Sequence, residues 1–443
     1  MREDWIGIEL DEITVFALGG DWGKAEDFQD ENFDAAYCIR GAEFKNWDVD
    51  FGKTASLRQL KKNSIEKRNL VLGDILVEIS GGGPEQPVGR TEVISQSVLN
   101  NFNGSKLVCT NFLRLIKLSK FTNSEFTNWY LKYFYSTGKI RDYQAGSNNL
   151  RNLKFNKYLT LGIPIAPIPE QRAIVAKIEE LFSDLDKGIA DLKKAQDQLK
   201  VYRQAVLKKA FEGEFNQVKV IEIADVNTGA TPKRGNVKYW ENGNIPWVTS
   251  GVVNKPFVNE PSEHITDTAI KETNCKIIEK GSLLVAMYGE GKTRGKCCEL
   301  NIDAATNQAL AAITLKEETQ YSKEFVKWFF VKNYGEIRLL SSGGVQPNLN
   351  LTLIKNTILP FPSEEVQHQI VQEIESRFSV CDKVEESITE SLEKAKALRQ
   401  SVLKKAFEGT LLSKEEIAAC KAAPDYEPAS VLLEKIKAEK KKK

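Results

Sequence analysis

The residues best suited to chemistry lie in short, turn-rich stretches. The densest is Thr228-Gly229-Ala230-Thr231-Pro232-Lys233-Arg234, followed by Tyr239-Trp240 and Ile245-Pro246-Trp247-Val248-Thr249-Ser250-Gly251. Lys233 and Arg234 sit in a Pro/Gly turn, from which long cationic side chains reach phosphates or base edges. Thr249 and Ser250 are short hydroxyl donors for the same groups, and Thr231 and Tyr239 belong to the same constellation. Trp240 and Trp247 read as core packing, because a duplex offers them no unstacked base.

A second cluster is Tyr288-Gly289-Glu290-Gly291-Lys292-Thr293-Arg294-Gly295-Lys296. The stretch from Ala286 to Thr293, AMYGEGKT, nearly fits a phosphate-binding loop, which would make the chain an ATPase. That pattern needs Gly where Ala286 stands and a helix starting at Lys292-Thr293, whereas Gly295 follows and KCCELNI looks extended. A basic loop facing DNA phosphates is the better use of Lys292, Arg294 and Lys296. Earlier in the chain, the stretch after the strand-like VLGDILVEIS reads as a loop, Ser80 to Arg90. It offers Gln86 and Arg90, with Arg40, Lys53 and Arg58 as further basic candidates. Asn, Gln and Arg each pair with adenine or guanine edges.

No other chemistry competes. The two histidines, His264 and His368, are far apart, which argues against a His-based metal site or a catalytic triad. The seven cysteines have no framework spacing, and the adjacent Cys297-Cys298 lacks a second pair for zinc; free thiols in a reducing cytoplasm are expected. No catalytic or metal-ligating residue is assigned. The net charge of +1 does not announce a nucleic-acid binder, but acidic faces can offset a basic one. No run of about 18 apolar residues exists, and MREDWIGIEL lacks a signal pattern, so neither a membrane span nor secretion is expected.

Two long helices must position these stretches. From Pro169 to Phe215, apolar residues recur at seven-residue steps (Ile178, Leu185, Leu192, Leu199, Val206), with Leu181, Ala195 and Tyr202 between them. This is the seam of a helix that pairs with another helix. At about 1.5 Å per residue such a helix is roughly 60 Å long. Pro169 suits a first helical position, and Gly213 after Lys208-Lys209 reads as a stop.

The element returns from Gln367 to Gly409 at one gapless offset of 196 (367 − 171, 409 − 213). Its seam is Ile374, Cys381, Ile388, Ala395 and Val402, and KKAFEG closes both copies. The flanking blocks repeat in outline: Gly281-Ser282-Leu283-Leu284-Val285 resembles Gly73-Asp74-Ile75-Leu76-Val77. Thr306-Asn307-Gln308 lies 196 residues after Thr110-Asn111-Phe112, and Ser341-Ser342-Gly343-Gly344 parallels Ala145-Gly146-Ser147. In the first block, strands are expected at Ile6–Leu10, Ile13–Leu18, Asp74–Ile79 and Leu107–Leu118, and a helix at Glu125–Tyr135. The expected plan is 1–166, 167–215 (helix), 216–362, 363–412 (helix) and 413–443. Within the last segment, Pro428 to Lys443 reads as a solvated end.

The layout closely resembles the DNA-specificity subunit of type I restriction–modification systems. PIPEQRAIVAKIEELFSDLD and its degenerate repeat PFPSEEVQHQIVQEIE carry the resemblance, with TGATP…KYW…IPWVTSG, GSLLVAMYG, TNQAL and EPASVLLEKIKAEK. It implies an α+β fold: two globular α/β target recognition domains separated by two long antiparallel coiled-coil helices, in a pseudo-two-fold internal repeat. Each domain would read one half of a bipartite, asymmetric site in double-stranded DNA. The helices would set the spacing and dock two modification subunits. Those subunits would hold S-adenosylmethionine and methylate adenine, and two restriction–translocase subunits are further partners the family allows. This chain lacks the Asn/Asp-Pro-Pro-aromatic tetrapeptide of an adenine methyltransferase, as a non-catalytic, cofactor-free, cytoplasmic subunit should. Ser363, Glu364, Glu365 and Val366 replace Pro167, Ile168, Pro169 and Glu170, so the second helix is expected to start differently. A structural adaptor without DNA specificity is the alternative from another class.

Overall fold

Both long helices form where the heptads run. In the computed structural model, which describes residues 2–83, 85–146, 150–289, 292–339 and 348–442, they span Ile168–Ala210 and Glu364–Glu408. These starts are equivalent (364 − 168 = 196), so the altered lead-in does not shift the second helix. What changes is the anchoring. Glu170 is buried and accepts from Trp5 Nε1 at 3.1 Å and Arg2 Nη2 at 3.0 Å, whereas the matching residue is Val366. The ends also differ. Gly409, at φ 79°, closes the second helix, and the Thr410 N–H reaches back to Lys405 O at 2.8 Å. The first helix stops at Ala210, short of Gly213, its last amides tightening onto carbonyls three residues back.

The chain divides into two compact units, Met1–Asp191 with Ser391–Lys443, and Leu192–Glu390. Each unit holds one globular block and a half of each long helix.

In the first unit a four-stranded antiparallel sheet has the order Thr14–Gly19, Leu113–Leu118, Ile75–Glu78, Thr91–Val93. A three-stranded sheet places Phe33–Ile39 between Ser56–Lys61 and Leu107–Cys109. The expected single strand over Leu107–Leu118 is therefore two, broken at Thr110–Phe112 where the chain passes between sheets. Ser80–Gly82 is not a loop but a short strand paired with Arg151 and Asn152. Ile75 and Val77 are wholly buried on the face that packs with Leu131, and Leu76 on the opposite face with Ile39, Leu107 and Cys109. The expected helix spans Ser124–Ser136, and the Asn123 side chain caps it by accepting from the Phe126 N–H.

The second unit repeats this plan. One sheet runs Ala224–Thr228, Leu310–Leu315, Leu283–Ala286, Cys297–Leu300, Phe257–Val258, and the other runs Glu263–Ile265, Ile245–Val248, Ala304–Thr306, Ile277–Ile278. Ser322 caps the helix Lys323–Lys332. The repeat residues at 341–344, like Ser147, lie outside the described residues.

One buried glutamine joins each block to its long helix. Gln171 accepts the Asn123 N–H at 2.9 Å and donates to Ala166 O at 2.6 Å. Gln367 accepts the Ser322 N–H at 2.9 Å and donates to Gln320 O and Pro362 O. Both are 0% exposed, so each bond is made away from water.

The helix segments pair antiparallel within each unit. In the first, Ile174, Val175, Ile178 and Phe182 pack with Val402, Leu403, Ala406 and Phe407, while Arg399 lies over Phe182 and pairs with Asp186. In the second, Val206 and Leu207 pack with Ile374 and Phe378, while Arg203 lies over Phe378 and pairs with Asp382 at 2.7 Å. The two triplets are the same residues with the helices' roles exchanged (203 + 196 = 399, 186 + 196 = 382). Cys381 and Ile388 are buried, whereas Leu185, Leu192, Ala195 and Leu199 are half-buried. Tyr202 departs from the expected seam: it is 42% exposed, and its hydroxyl turns out to accept from Arg377 Nη1 at 3.0 Å. A phenol with a polar tip gains more at the wet edge of the pair than inside it.

The C-terminal segment is not a solvated end. Ser413 opens a capped helix, Lys414–Lys421, and a second helix spans Ala429–Lys441 with Ala429, Leu432 and Ile436 buried in the first unit's core. Its lysines face outward while an apolar stripe at i, i+3 and i+7 faces in.

Candidate nucleic-acid interface

A parallel strand pair positions the exposed loops of each unit. In the first, Phe33–Ile39 runs parallel to Leu107–Cys109, and past their ends the Thr110 N–H bonds Ile39 O at 2.9 Å. In the second, Ile245–Val248 runs parallel to Ala304–Thr306, and the Asn307 N–H bonds Val248 O at 3.0 Å. A glycine seals each edge. A β-carbon on Gly20 would fall 2.1 Å from Thr110 O, and one on Gly229 would fall 1.7 Å from Thr306 O, so only glycine lets the backbones approach.

Beside this edge the first unit has a cleft of about 810 Å³, lined by Trp22, Arg40, Lys45, Gln86, Arg90 and Phe112, among others. Arg40 and Arg90 stand on it as braced cations. Arg40 Nη2 donates to the buried Glu43 at 2.5 Å. Arg90 holds the buried Glu78 through Nε at 2.8 Å and Nη2 at 2.5 Å, and also donates to Gly41 O. Burial would lower the Arg90 pKa, but the Glu78 carboxylate outweighs it and raises it. Gln86, its amide oriented as the bonding requires, accepts from Arg90. Arg58 stacks on Trp22 at 4.3 Å and bonds its carbonyl. Lys53 is exposed but does not line the cleft.

The second unit's constellation is knit by hydrogen bonds. Thr231 Oγ1 donates to Gln308 Oε1 at 2.6 Å. Arg234 forms a bidentate pair with Glu263 at 2.5 and 2.8 Å and lies over Trp240 (4.0 Å) and Trp247 (5.1 Å). That carboxylate raises the Arg234 pKa and is itself lowered by it. Half the guanidinium side chain remains exposed. Trp247 is buried and donates to Ala230 O, a core role. Thr249 meets Ser262, the neighbour of Glu263, through its N–H at 3.1 Å. Ser250 begins the short turn Ser250–Asn254, whose Asn254 accepts from Lys296 Nζ at 2.8 Å. Arg234, Thr249, Ser250 and Lys296 thus follow one another through Glu263-Ser262 and the turn to Asn254, Thr231 pairs separately with Gln308, and Lys233 is exposed on the same turn as Arg234. Tyr239 faces aside, donating to Glu272 at 3.2 Å.

Lys292 and Arg294 lie on the hairpin joining Leu283–Ala286 to the antiparallel strand Cys297–Leu300; Glu290 and Gly291 lie outside the described residues. A strand, rather than a helix, follows Lys292-Thr293, so the hairpin is no phosphate-binding loop of the ATPase kind.

Residues 212–394 match the family model described as the type I restriction modification DNA specificity domain. The StySPI specificity subunit of Salmonella potsdam is 24% identical across 99% of this chain and 96% of its own length. The EcoKI specificity subunit of Escherichia coli K12 is 23% identical over the same shares. Residues 212–394 thus carry the type I DNA-specificity domain, and the whole chain is similar to specificity subunits. As a specificity subunit it is a non-catalytic, DNA-recognising chain. In fold it is similar to a chain solved in work on assembly and conformational transition of the type I R-M system (TM-score 0.72, 17% identity, 93% of this chain and 99% of that one). It is also similar to the HsdS subunit of Thermoanaerobacter tengcongensis (TM-score 0.59, 17% identity, 93% and 98%). No helix of the specificity subunit is long and apolar enough to cross a membrane among the described residues.

Sequence reasoning missed Trp22, Lys45, Asn111 and Phe112 at the first edge and Gln308 at the second. The available signal was the repeat itself, which aligns Asn111-Phe112 with Asn307-Gln308.

Proposed function

We propose that each unit of the specificity subunit reads one half of a bipartite, asymmetric target in double-stranded DNA through the loops at its parallel strand pair. The carrying observation is the repeated edge with different furniture. The same main-chain bond and glycine seat recur, with exposed Asn111 and Phe112 beside half-buried Arg40 on one, and exposed Gln308 beside half-buried Thr249 and Asn307 on the other. Asn, Gln and Arg are the side chains that pair with adenine and guanine edges.

The paired helices set the spacing between half-sites and dock two modification subunits in the cytoplasm. Exposed apolar side chains on the helices, Val201, Val380 and Val384 in the second unit and Leu398 in the first, support the docking role. The modification subunits hold S-adenosylmethionine and methylate adenine, and two restriction subunits complete the nuclease. The test is modified-base sequencing of a host genome with the modification partner, with and without this gene. A gapped, two-part adenine motif appearing only with the gene is expected. Its absence from a host with an intact, active complex would favour an adaptor.

A further inference from the structure

The two units differ in what covers one particular face. In the first, the helix Ala429–Lys441 lies on the face formed by residues 10–13 and 119–123. Ala429, Leu432 and Ile436 are buried with Leu10 and Ile13, with Phe121 alongside. Ser119 Oγ donates to Glu439 at 2.6 Å, and Lys440 Nζ reaches Asp11 Oδ2 at 2.6 Å. The second unit builds the same face. Val220–Ile223 stands for Leu10–Ile13, and the Lys316 N–H bonds Ile223 O at 3.0 Å as the Ser119 N–H bonds Ile13 O at 2.8 Å.

Here no helix among the described residues takes the place of Ala429–Lys441: Val220 and Ile223 are buried within their own unit, while Ile221 and Glu222 between them are exposed. Ile221 is 44% exposed, and Phe361 is 37% exposed, although Ile165 at the matching strand position is 1% exposed. Phe361 lines a groove of about 290 Å³ with Val218, Ile223 and Tyr321, and Glu222 and Glu318 also line it; Ile221 is the chain neighbour of Glu222 and lies two residues before Ile223. Exposed apolar side chains on and next to a partly apolar groove are a costly surface to leave in water.

We propose that this groove seats an amphipathic helix of a partner subunit, with an apolar stripe at i, i+3, i+4 and i+7 flanked by lysines. The proposal rests on the reading that the chain works in complex with modification subunits. The stripe is inferred from the first unit, where Ala429, Leu432, Leu433 and Ile436 meet the equivalent face at that spacing. The lysines follow from charge. Glu222, Glu317 and Glu318 are exposed, and Lys316 Nζ is already donated to the carbonyls of Ile221 and Glu222, so three carboxylates stand against exposed Lys219. A second copy offers no such helix, because Ala429, Leu432 and Ile436 of its own stripe are already buried at 0 to 3% exposure and Leu433 is packed beside them.

The chain's seven cysteines are all buried, so a single introduced thiol reports alone. Ile221→Cys and Phe361→Cys, each made in the full chain, are labelled with a maleimide, free and in complex with the modification subunits. Val237→Cys, at a position 61% exposed, serves as the control. Labelling at 221 and 361 should slow at least about tenfold in the complex while 237 is unchanged. Ile221→Glu with Phe361→Glu should weaken assembly by about tenfold or more with the melting curve retained. Undiminished labelling in an intact complex overturns this inference and leaves the complex reading standing. Failure of the wild-type chain to assemble overturns both. Protection of the free chain that grows with its own concentration overturns the partner assignment in favour of a second copy.

Discussion

The edges beside Thr110 and Thr306 share a backbone and almost nothing else. Both rest on a parallel strand pair, a main-chain bond across its end and a glycine pressed against a carbonyl. Their side chains diverge: a cleft with two braced arginines in the first unit, and a cross-linked turn with stacked Arg234 in the second. Main-chain bonds and a missing β-carbon place no demand on neighbouring side chains. An edge held that way keeps its shape while its side chains change.

The sharpest way to break the comparison is to break one seat. Gly229→Val should cost roughly 3 kcal/mol or more and abolish recognition of one half-site, and Gly20→Val should do the same for the other. Melting curves and binding to duplexes carrying one half-site would check both; equal loss at both half-sites from either variant would refute the division of labour. A proline at Ile388, buried in the helix pair, should cost about 3 kcal/mol and remove association with the modification subunits. Size-exclusion chromatography of the complex reads this directly. The charge test is smaller. Lys233→Ala with Arg234→Ala should weaken binding about tenfold at the second unit's half-site alone and flatten its salt dependence.

The smallest effect is a pH dependence. Each unit buries a strand glutamate against helix lysines: Glu92 with Lys132 at 2.7 Å, and Glu299 with Lys323 at 2.6 Å and Lys327 at 3.3 Å. Burial pushes the Glu92 carboxyl up to about 7 despite Lys132. A raised carboxyl pKa favours folding below the unfolded value of about 4.5, and that contribution fades as pH rises through 7. Chemical unfolding at pH 5 and pH 8 should show the wild type losing stability across that window, and Glu92→Gln should reduce the loss.

Periodicity made the helices legible. Ile178, Val206, Ile374 and Val402 declare a seam at seven-residue steps, and the constant offset declares the duplication. The edges were legible only in part, because Ile39 and Thr110 are brought together by pairing across seventy residues, which no local pattern encodes. Gln171 and Gln367 stood in plain view as repeat markers, but their role as buried pegs depends on loops far along the chain. The Ala429–Lys441 helix was misread because its lysines dominate the composition, although its stripe has helical spacing.

Those two glutamines also bear on inheritance. Each block is fastened by a main-chain amide and carbonyls, groups that every incoming sequence carries. A gene segment exchanged between the two long helices would therefore deliver a foreign block to a fastening that already fits it. Recombination can then supply a new specificity in one event, without waiting for compensating mutations in the helices.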